Sequence, residues 1–182
     1  MKFSRTQIPD VILCKPNVFK DARGYFTETY KKESLEAFIG RRIDFFQDNE
    51  SKSRKGVLRG LHYQLPPFAQ SKLVRVVKGA VLDIAVDIRK ESSTFGKHIA
   101  IELNEENKFQ LFIPKGFAHG YLVLSDEAIF SYKVDNEYHE ASEAGIIYND
   151  HTLGIDWNLQ TAHPIISEKD KNQPTLDKAR LF

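Results

Sequence analysis

The sequence predicts an all-β barrel built from two sheets, and three observations predict it. Short apolar runs alternate with turn residues along nearly the whole chain. In residues 73–89, Leu73-Val74-Arg75-Val76-Val77 is followed by a Lys78-Gly79 turn. After the turn, Leu82, Ile84, Val86 and Ile88 alternate with Asp83, Ala85 and Asp87, the period of two of a strand with unlike faces. Helical periodicity is confined to one short segment.

Taken in order, Val11-Ile12-Leu13-Cys14 predicts a first strand over 11–14 that places the single cysteine in the core. Strands are expected next at 24–30 and 43–48. Between them Ser34 is expected to cap a short helix in which Leu35, Phe38 and Ile39 share a face and Gly40 ends the turn. Further strands are expected at 56–63, 98–103, 109–113, 120–124, 128–134 and 145–148, with Asn104-Glu105-Glu106-Asn107 as a polar hairpin connection. The tail, about 170–182, reads as a loop or one helical turn packed on the barrel by Leu181 and Phe182. About ten strands with one or two short helices make a jelly-roll barrel, a fold that holds small ligands in an open mouth.

The 182 residues fit one domain, 1–182, and can bury a core without disulfides, which one cysteine rules out within the chain. No run approaches 18 apolar residues and no apolar signal run follows Met1-Lys2-Phe3-Ser4-Arg5, so a cytoplasmic protein without a membrane partner is expected. Basic and acidic residues, 26 and 25, are interspersed, which argues against a nucleic-acid surface. A small anionic ligand needs only a few local cations and stays open.

Four clusters carry candidate chemistry. In Asp21-Ala22-Arg23-Gly24-Tyr25-Phe26-Thr27-Glu28, Arg23 is either an anion clamp or the partner of a nearby acid in a turn. In Val57-Leu58-Arg59-Gly60-Leu61-His62, Arg59 and His62 are three apart and face opposite ways in a regular strand. Gly60 could mark a bulge that re-aims one of them; the plainer alternative is a packed histidine and a surface arginine. Pro114-Lys115-Gly116-Phe117-Ala118-His119-Gly120 carries the Pro-x-Gly-x-x-His signature of cupin barrels, whose histidine points into the barrel. Many cupins bind metal there, but with an earlier His-x-His that this chain lacks; only His62 and His119 are placed to face the mouth, so no metal is expected. Phe130-Ser131-Tyr132-Lys133, Tyr138 and Ser167-Glu168-Lys169-Asp170 are individually ordinary core, rim or surface residues.

Together these stretches resemble the dTDP-4-dehydrorhamnose 3,5-epimerase family. The resemblance runs from Thr6-Gln7-Ile8-Pro9-Asp10-Val11 to about Asp170. It includes Asp21-x-Arg23-Gly24-x-Phe26, Gln47-Asp48-Asn49-x-Ser51-Lys52-Ser53, Val57-Leu58-Arg59-Gly60-Leu61-His62, Lys72-Leu73-Val74-Arg75, Val86-Asp87-Ile88-Arg89 and Gly116-Phe117-Ala118-His119-Gly120. Asn149-Asp150 before Ile155-Asp156-Trp157 completes it.

The resemblance implies a cupin-type double-stranded β-helix, a homodimer, and a cofactor-independent isomerase of dTDP-L-rhamnose biosynthesis, upstream of O antigen and other surface carbohydrate. The implied substrate is a dTDP-linked 4-keto-6-deoxy sugar, inverted at C3 and C5 through enolates. By the same resemblance His62 is the general base, Asp170 its orienting partner, Tyr132 the proton donor on the opposite face, and Lys72 the group near the C4 oxygen. Arg23 and Arg59 match diphosphate and sugar contacts; Glu28, Gln47 and Asn49 match nucleoside contacts; Phe26, His119, Glu143 and Lys169 match further ligand contacts. Tyr138 matches the aromatic that stacks on thymine. An N-terminal segment exchanged with the dimer partner is also implied, so Arg23 and Glu28 are expected to serve the neighbouring site. The departures are Asn158 after the tryptophan, Ser71 before the lysine and Glu137 beside Tyr138, where the family often has proline, glycine and an aromatic.

Three rival readings stand beside this one. A metal-dependent cupin is opposed by the missing His-x-His. A non-enzymatic sugar-binding cupin is opposed by the joint presence of His62, Asp170, Tyr132 and Lys72. An epimerase acting at one carbon, or on another nucleotide-linked 4-keto sugar, shares the same residues.

Overall fold

Gly79 follows Lys78 at a φ of 78°, and in the computed structural model this turn carries the chain from one sheet to the other. That movement repeats along the chain and generates the fold. The structure describes residues 1–159 and 163–182. In chain order the strands and helices are β1 (Lys2–Arg5), β2 (Ile12–Lys15), β3 (Val18–Asp21), β4 (Gly24–Thr27), α1 (Lys32–Ile39), β5 (Gln47–Arg54), β6 (Leu58–Gln64) and β7 (Lys72–Lys78). There follow β8 (Ala80–Asp87), β9 (His98–Asn104), β10 (Gln110–Ile113), β11 (Phe117–Val123), β12 (Glu127–Val134), β13 (Glu143–Gly145) and α2 (Glu168–Lys171).

One sheet runs β1-β2-β10-β7-β12-β5 and the other β13-β6-β11-β8-β9. From β5 to β13 the chain changes sheets at every link except β8 to β9, which is the winding of a jelly roll. The strands β3 and β4 pair only with each other and form a separate ribbon.

Apolar alternation fills three layers. Between the sheets lie Val74, Val76, Val81, Ala85, Leu111, Ile113, Tyr121 and Phe130. Outside the five-stranded sheet Leu58, Leu61, Ile84 and Val86 are covered by Trp157, Leu176, Leu181 and Phe182. Outside the six-stranded sheet α1 lays Leu35 and Phe38 over Ile12, Cys14 and Phe112. Each fully buried Ile or Leu contributes about 1.5–3 kcal/mol of apolar transfer. Burial pushes the Cys14 thiol up to about 12, so this core thiol is inert. Among the described residues no helix is long and apolar enough to cross a membrane.

Several expectations are corrected. The 104–107 turn is not a hairpin, because β9 pairs with β8 whereas β10 pairs with β2 and β7. Its asparagines close the turn on each other, Asn107 N–H to Asn104 Oδ1 at 2.7 Å, a local device that serves a sheet change equally well. Ser34 lies inside α1, whose cap is Lys31 with no side-chain bond. The burial of Leu35 and the pairing of Lys32 with Asp44 and Glu36 fix the start instead, while Gly40 ends the helix at φ 76° as expected. The apolar run 43–46 precedes β5 rather than forming it, since Ile43 and Phe45 pack under α1. The expected 24–30 strand stops at Thr27, and the 145–148 strand lies at Glu143–Gly145.

Candidate active site

Three residues in β6 assemble the first part of the site. Across the β6–β11 ladder His62 faces His119 and Arg59 faces Tyr121, so Gly60 and Leu61 oppose the single residue Gly120. This bulge breaks the alternation that would separate Arg59 from His62. Only glycine fits there: Gly60 has a φ of 133°, and a Cβ would lie 2.6 Å from the Gly120 Cα. Arg59 is exposed, as the plainer reading of a surface arginine has it, and its Nε donates to Ser53 Oγ at 3.1 Å.

The Arg59 and His62 side chains both reach one cavity of about 180 Å³ between the sheets. His62 on β6 and His119 on β11 line its five-stranded wall. Lys72 on β7, Tyr132 on β12 and Ser51 on β5 line the six-stranded wall. His62 and Tyr132 therefore face one space from opposing sheets. The Pro114–Gly116 turn, with Gly116 at φ 88°, leads into β11 and delivers His119 as its motif predicts.

His62 Nε2 lies 2.7 Å from Asp170 Oδ1. Ser167 caps the single turn of α2 by accepting the Asp170 amide at 3.1 Å, and the Gly60 amide donates to Asp170 Oδ2 at 3.2 Å. Burial alone would raise the Asp170 carboxyl, but His62, the Gly60 amide and the Ser167 hydroxyl outweigh it and hold the group below its usual range. An ionised Asp170 bonded to Nε2 fixes the tautomer and leaves Nδ1 as the free proton acceptor.

Lys72 Nζ stands 5.9 Å from the centroid of the Tyr132 ring. Burial lowers the ammonium to about 8, against the opposing pull of Asp83 and Glu143. It therefore remains mostly protonated at neutral pH. Burial raises the Tyr132 phenol, Tyr121 adds to this, and Arg59 opposes it. Tyr132 thus keeps its proton and can donate it.

The remaining site residues fall into three groups. Gln47 and Asn49 on β5 are joined at 2.8 Å, with Asn49 opposite Tyr132 in register. Glu143 sits on β13 beside β6 and binds both Lys169 at 2.6 Å and the Tyr138 hydroxyl at 2.7 Å. Burial would raise Glu143, but these two bonds bring it below its usual range. Gln47, Asn49, Tyr138, Glu143 and Lys169 do not line the cavity itself. Arg23, Phe26 and Glu28 belong to the β3–β4 ribbon and its exit and likewise do not line the cavity of their own chain. Arg23 pairs with Asp21 at 2.6 Å while 90% of its side chain is exposed.

The sequence reading missed Asp83, Tyr121 and Ser51. Asp83 is fully buried, bonds His119 Nε2 at 2.9 Å through Oδ2, and leaves Oδ1 without a hydrogen bond. Its signal was present, since a carboxylate sharing a strand face with Ala85 is out of place in a barrel interior unless paired. Tyr121 and Ser51 tie the two walls together, hydroxyl to hydroxyl, at 2.8 Å. Among the described residues no three His, Cys, Asp or Glu side chains gather as a metal site requires.

Comparison with known proteins places the chain in a family. The family model for dTDP-4-dehydrorhamnose 3,5-epimerase matches residues 5–178. The dTDP-4-dehydrorhamnose 3,5-epimerase of Shigella flexneri is 54% identical over 182 residues, covering 100% of this chain and 99% of that protein. The crystal structure of the Elizabethkingia anophelis dTDP-4-dehydrorhamnose 3,5-epimerase superimposes with a TM-score of 0.94 at 49% identity, covering 99% of each chain. A Legionella pneumophila dTDP-6-deoxy-D-glucose-3,5-epimerase, solved in complex with dTDP-4-keto-L-rhamnose, gives 0.93 at 45% identity over 97% of this chain and 93% of that one. The chain belongs to the dTDP-4-dehydrorhamnose 3,5-epimerase family.

Proposed function

We propose that this protein inverts C3 and C5 of dTDP-4-dehydro-6-deoxy-D-glucose to give dTDP-4-dehydro-L-rhamnose, using His62 and Tyr132 as the proton-transfer pair. One observation supports the reading most: an imidazole backed by a carboxylate faces a protonated phenol across a single cavity.

The chemistry explains the requirement. A C–H beside a ketone is acidic only through delocalisation onto the oxygen, so a base must act together with a donor to the developing enolate. His62 removes the proton through Nδ1, and Asp170 stabilises the imidazolium that forms. Lys72 donates to the C4 oxygen; loss of such a donor typically costs about 2.7–4 kcal/mol. Tyr132 returns a proton from the opposite wall, which inverts the carbon. C3 and C5 both flank C4, so one pair serves both. The nucleotide, held far from the reacting carbons, positions the sugar. Each inversion leaves His62 as imidazolium and Tyr132 as phenolate. His62 releases its proton to solvent and Tyr132 takes one up before the next inversion, and no electrons are transferred, so no redox cofactor is needed. A nucleotide-sugar substrate and a free core thiol accord with a cytoplasmic location.

The β3–β4 ribbon completes the proposal. Phe19, Tyr25 and Phe26 are 62%, 56% and 69% exposed on a ribbon that joins neither sheet. Such a surface fits docking on a second copy of the chain. In the dimer Arg23, Phe26 and Glu28 would then close the partner's site. Mixing Arg23→Ala and His62→Ala dimers under subunit exchange should regenerate activity, because each mixed dimer holds one intact site. Continued inactivity of fully exchanged mixtures would assign the ribbon to its own chain.

The decisive experiment incubates the protein with the substrate in deuterated water and follows C3 and C5 by NMR. Label and inversion at both carbons are expected. Exchange at only one carbon would assign a one-carbon epimerase, and no exchange would remove the epimerase reading.

A further inference from the structure

A second concave site lies on the outer face of the six-stranded sheet, beside the end of α1. Its volume is about 260 Å³, and it shares no lining residue with the cavity between the sheets. Its walls carry four cations, Arg5, Arg41, Arg89 and Lys115, against one acid, Asp10. Arg89 is bound to Asp10 at 2.8 Å and Asp87 at 2.6 Å, and Lys115 is 3.5 Å from Asp135. Arg5 bonds only the Pro9 carbonyl, at 2.7 Å, and Arg41 has no hydrogen-bond or ion-pair partner among the described residues.

The guanidinium groups are also held in place. Arg5 lies over the Phe38 ring at 5.7 Å, Arg41 over Phe112 at 5.9 Å, and Arg89 over Phe117 at 4.8 Å. Stacking restrains a guanidinium while leaving its N–H edge free to bind. Two restrained forks without carboxylates and one lysine, converging on a concavity, make a cradle for an anion. A tetrahedral oxyanion presents oxygens to three donors at once, whereas a planar carboxylate satisfies one fork. The volume falls just below the range of about 300–1,000 Å³ typical of pockets that enclose whole drug-sized ligands, so it suits a head group.

We propose that this pocket binds a phosphoryl group, as orthophosphate or as the phosphate end of a nucleotide, at Arg5 and Arg41. The proposal is independent of the epimerase assignment.

The test follows the arginine Nε–Hε resonances of the intact protein while sodium phosphate is added at constant ionic strength. Saturable shifts at Arg5 and Arg41 are expected with phosphate and not with chloride. Arg41→Gln should weaken saturation at Arg5 about tenfold and leave epimerase turnover unchanged. Arg59→Ala, which alters the other cavity, should leave the saturation intact. An arm with thymidine monophosphate separates the sources: tighter binding than orthophosphate assigns the nucleotide, equal binding the free ion. Linear shifts identical for phosphate and chloride, or loss of saturation in Arg59→Ala, would overturn the proposal. If Arg41→Gln fails to fold, Arg5→Gln with readout at Arg41 replaces it.

Discussion

His62 and His119 face each other in one ladder, each bonded through Nε2 to a carboxylate, yet their settings differ. His62 is 32% exposed and its partner Asp170 comes from the C-terminal segment. His119 is 7% exposed and its partner Asp83 lies on the adjacent strand with no exposure at all. Burial lowers the His119 imidazole, Lys72 and His62 lower it further, and Asp83 pulls the other way without prevailing. Burial likewise raises Asp83, against His119 and Lys72. The same two side chains thus make a partly exposed pair at the mouth and a buried pair that resists charging inside. With the same hydrogen bond in both pairs, what differs between the proposed base and its buried counterpart is solvent access.

The largest effect should come from breaking the outer pair. His62→Ala should lower turnover by about 10²–10⁴-fold and stop deuterium entering C3 and C5, whereas His119→Asn should keep exchange and lose only about tenfold, mostly in KM. Normal exchange in His62→Ala would show that the base has been assigned to the wrong histidine.

A comparable contrast should separate the carboxylates. Asp170→Asn should lower kcat by about 10²–10³-fold, because an amide no longer stabilises the imidazolium. Asp83→Asn should cost about tenfold or less, read in steady-state kinetics. Equal losses would mean that both pairs carry protons.

Lys72 lines the cavity from the wall opposite both histidines and gives the pH signature. Its ammonium is lowered to about 8, so the protonated, active form dominates below that pH and is lost as the pH rises through it. The kcat/KM profile should therefore fall above pH about 8, and Lys72→Met should remove that limb at about 10²–10³-fold lower rate. A limb unchanged in Lys72→Met would assign it elsewhere. The smallest effect is expected from chelation: overnight EDTA should leave turnover unaltered. Loss of activity restored by one divalent ion would revive a metal role for the two histidines.

Much of this was legible in the chain. Period-two alternation located most of the strands, though not β1 or β3, and Gly60 between Arg59 and His62 offered a bulge as one of two readings, because glycine in a strand marks backbone that a side chain would obstruct. The Pro-x-Gly-x-x-His run placed His119 correctly. Asp83 was legible only as an acid on the face it shares with Ala85, and its role was missed because a period of two cannot say which face is turned into a cavity. Arg23 and Glu28 were expected to serve a neighbouring site, and they do stand away from their own chain's cavity, but the same position of Phe26 was not foreseen.

By itself, then, the sequence determined the fold class, the short-range motifs and the kinds of side chain available for proton transfer, since these depend on neighbours a few residues apart. Only the tertiary structure decided which wall each group occupies and that one histidine is partly exposed while the other is buried. The physical reason is that pairing and burial are set by the winding of the chain between two sheets, and the free energy of a charge depends on what surrounds it in space.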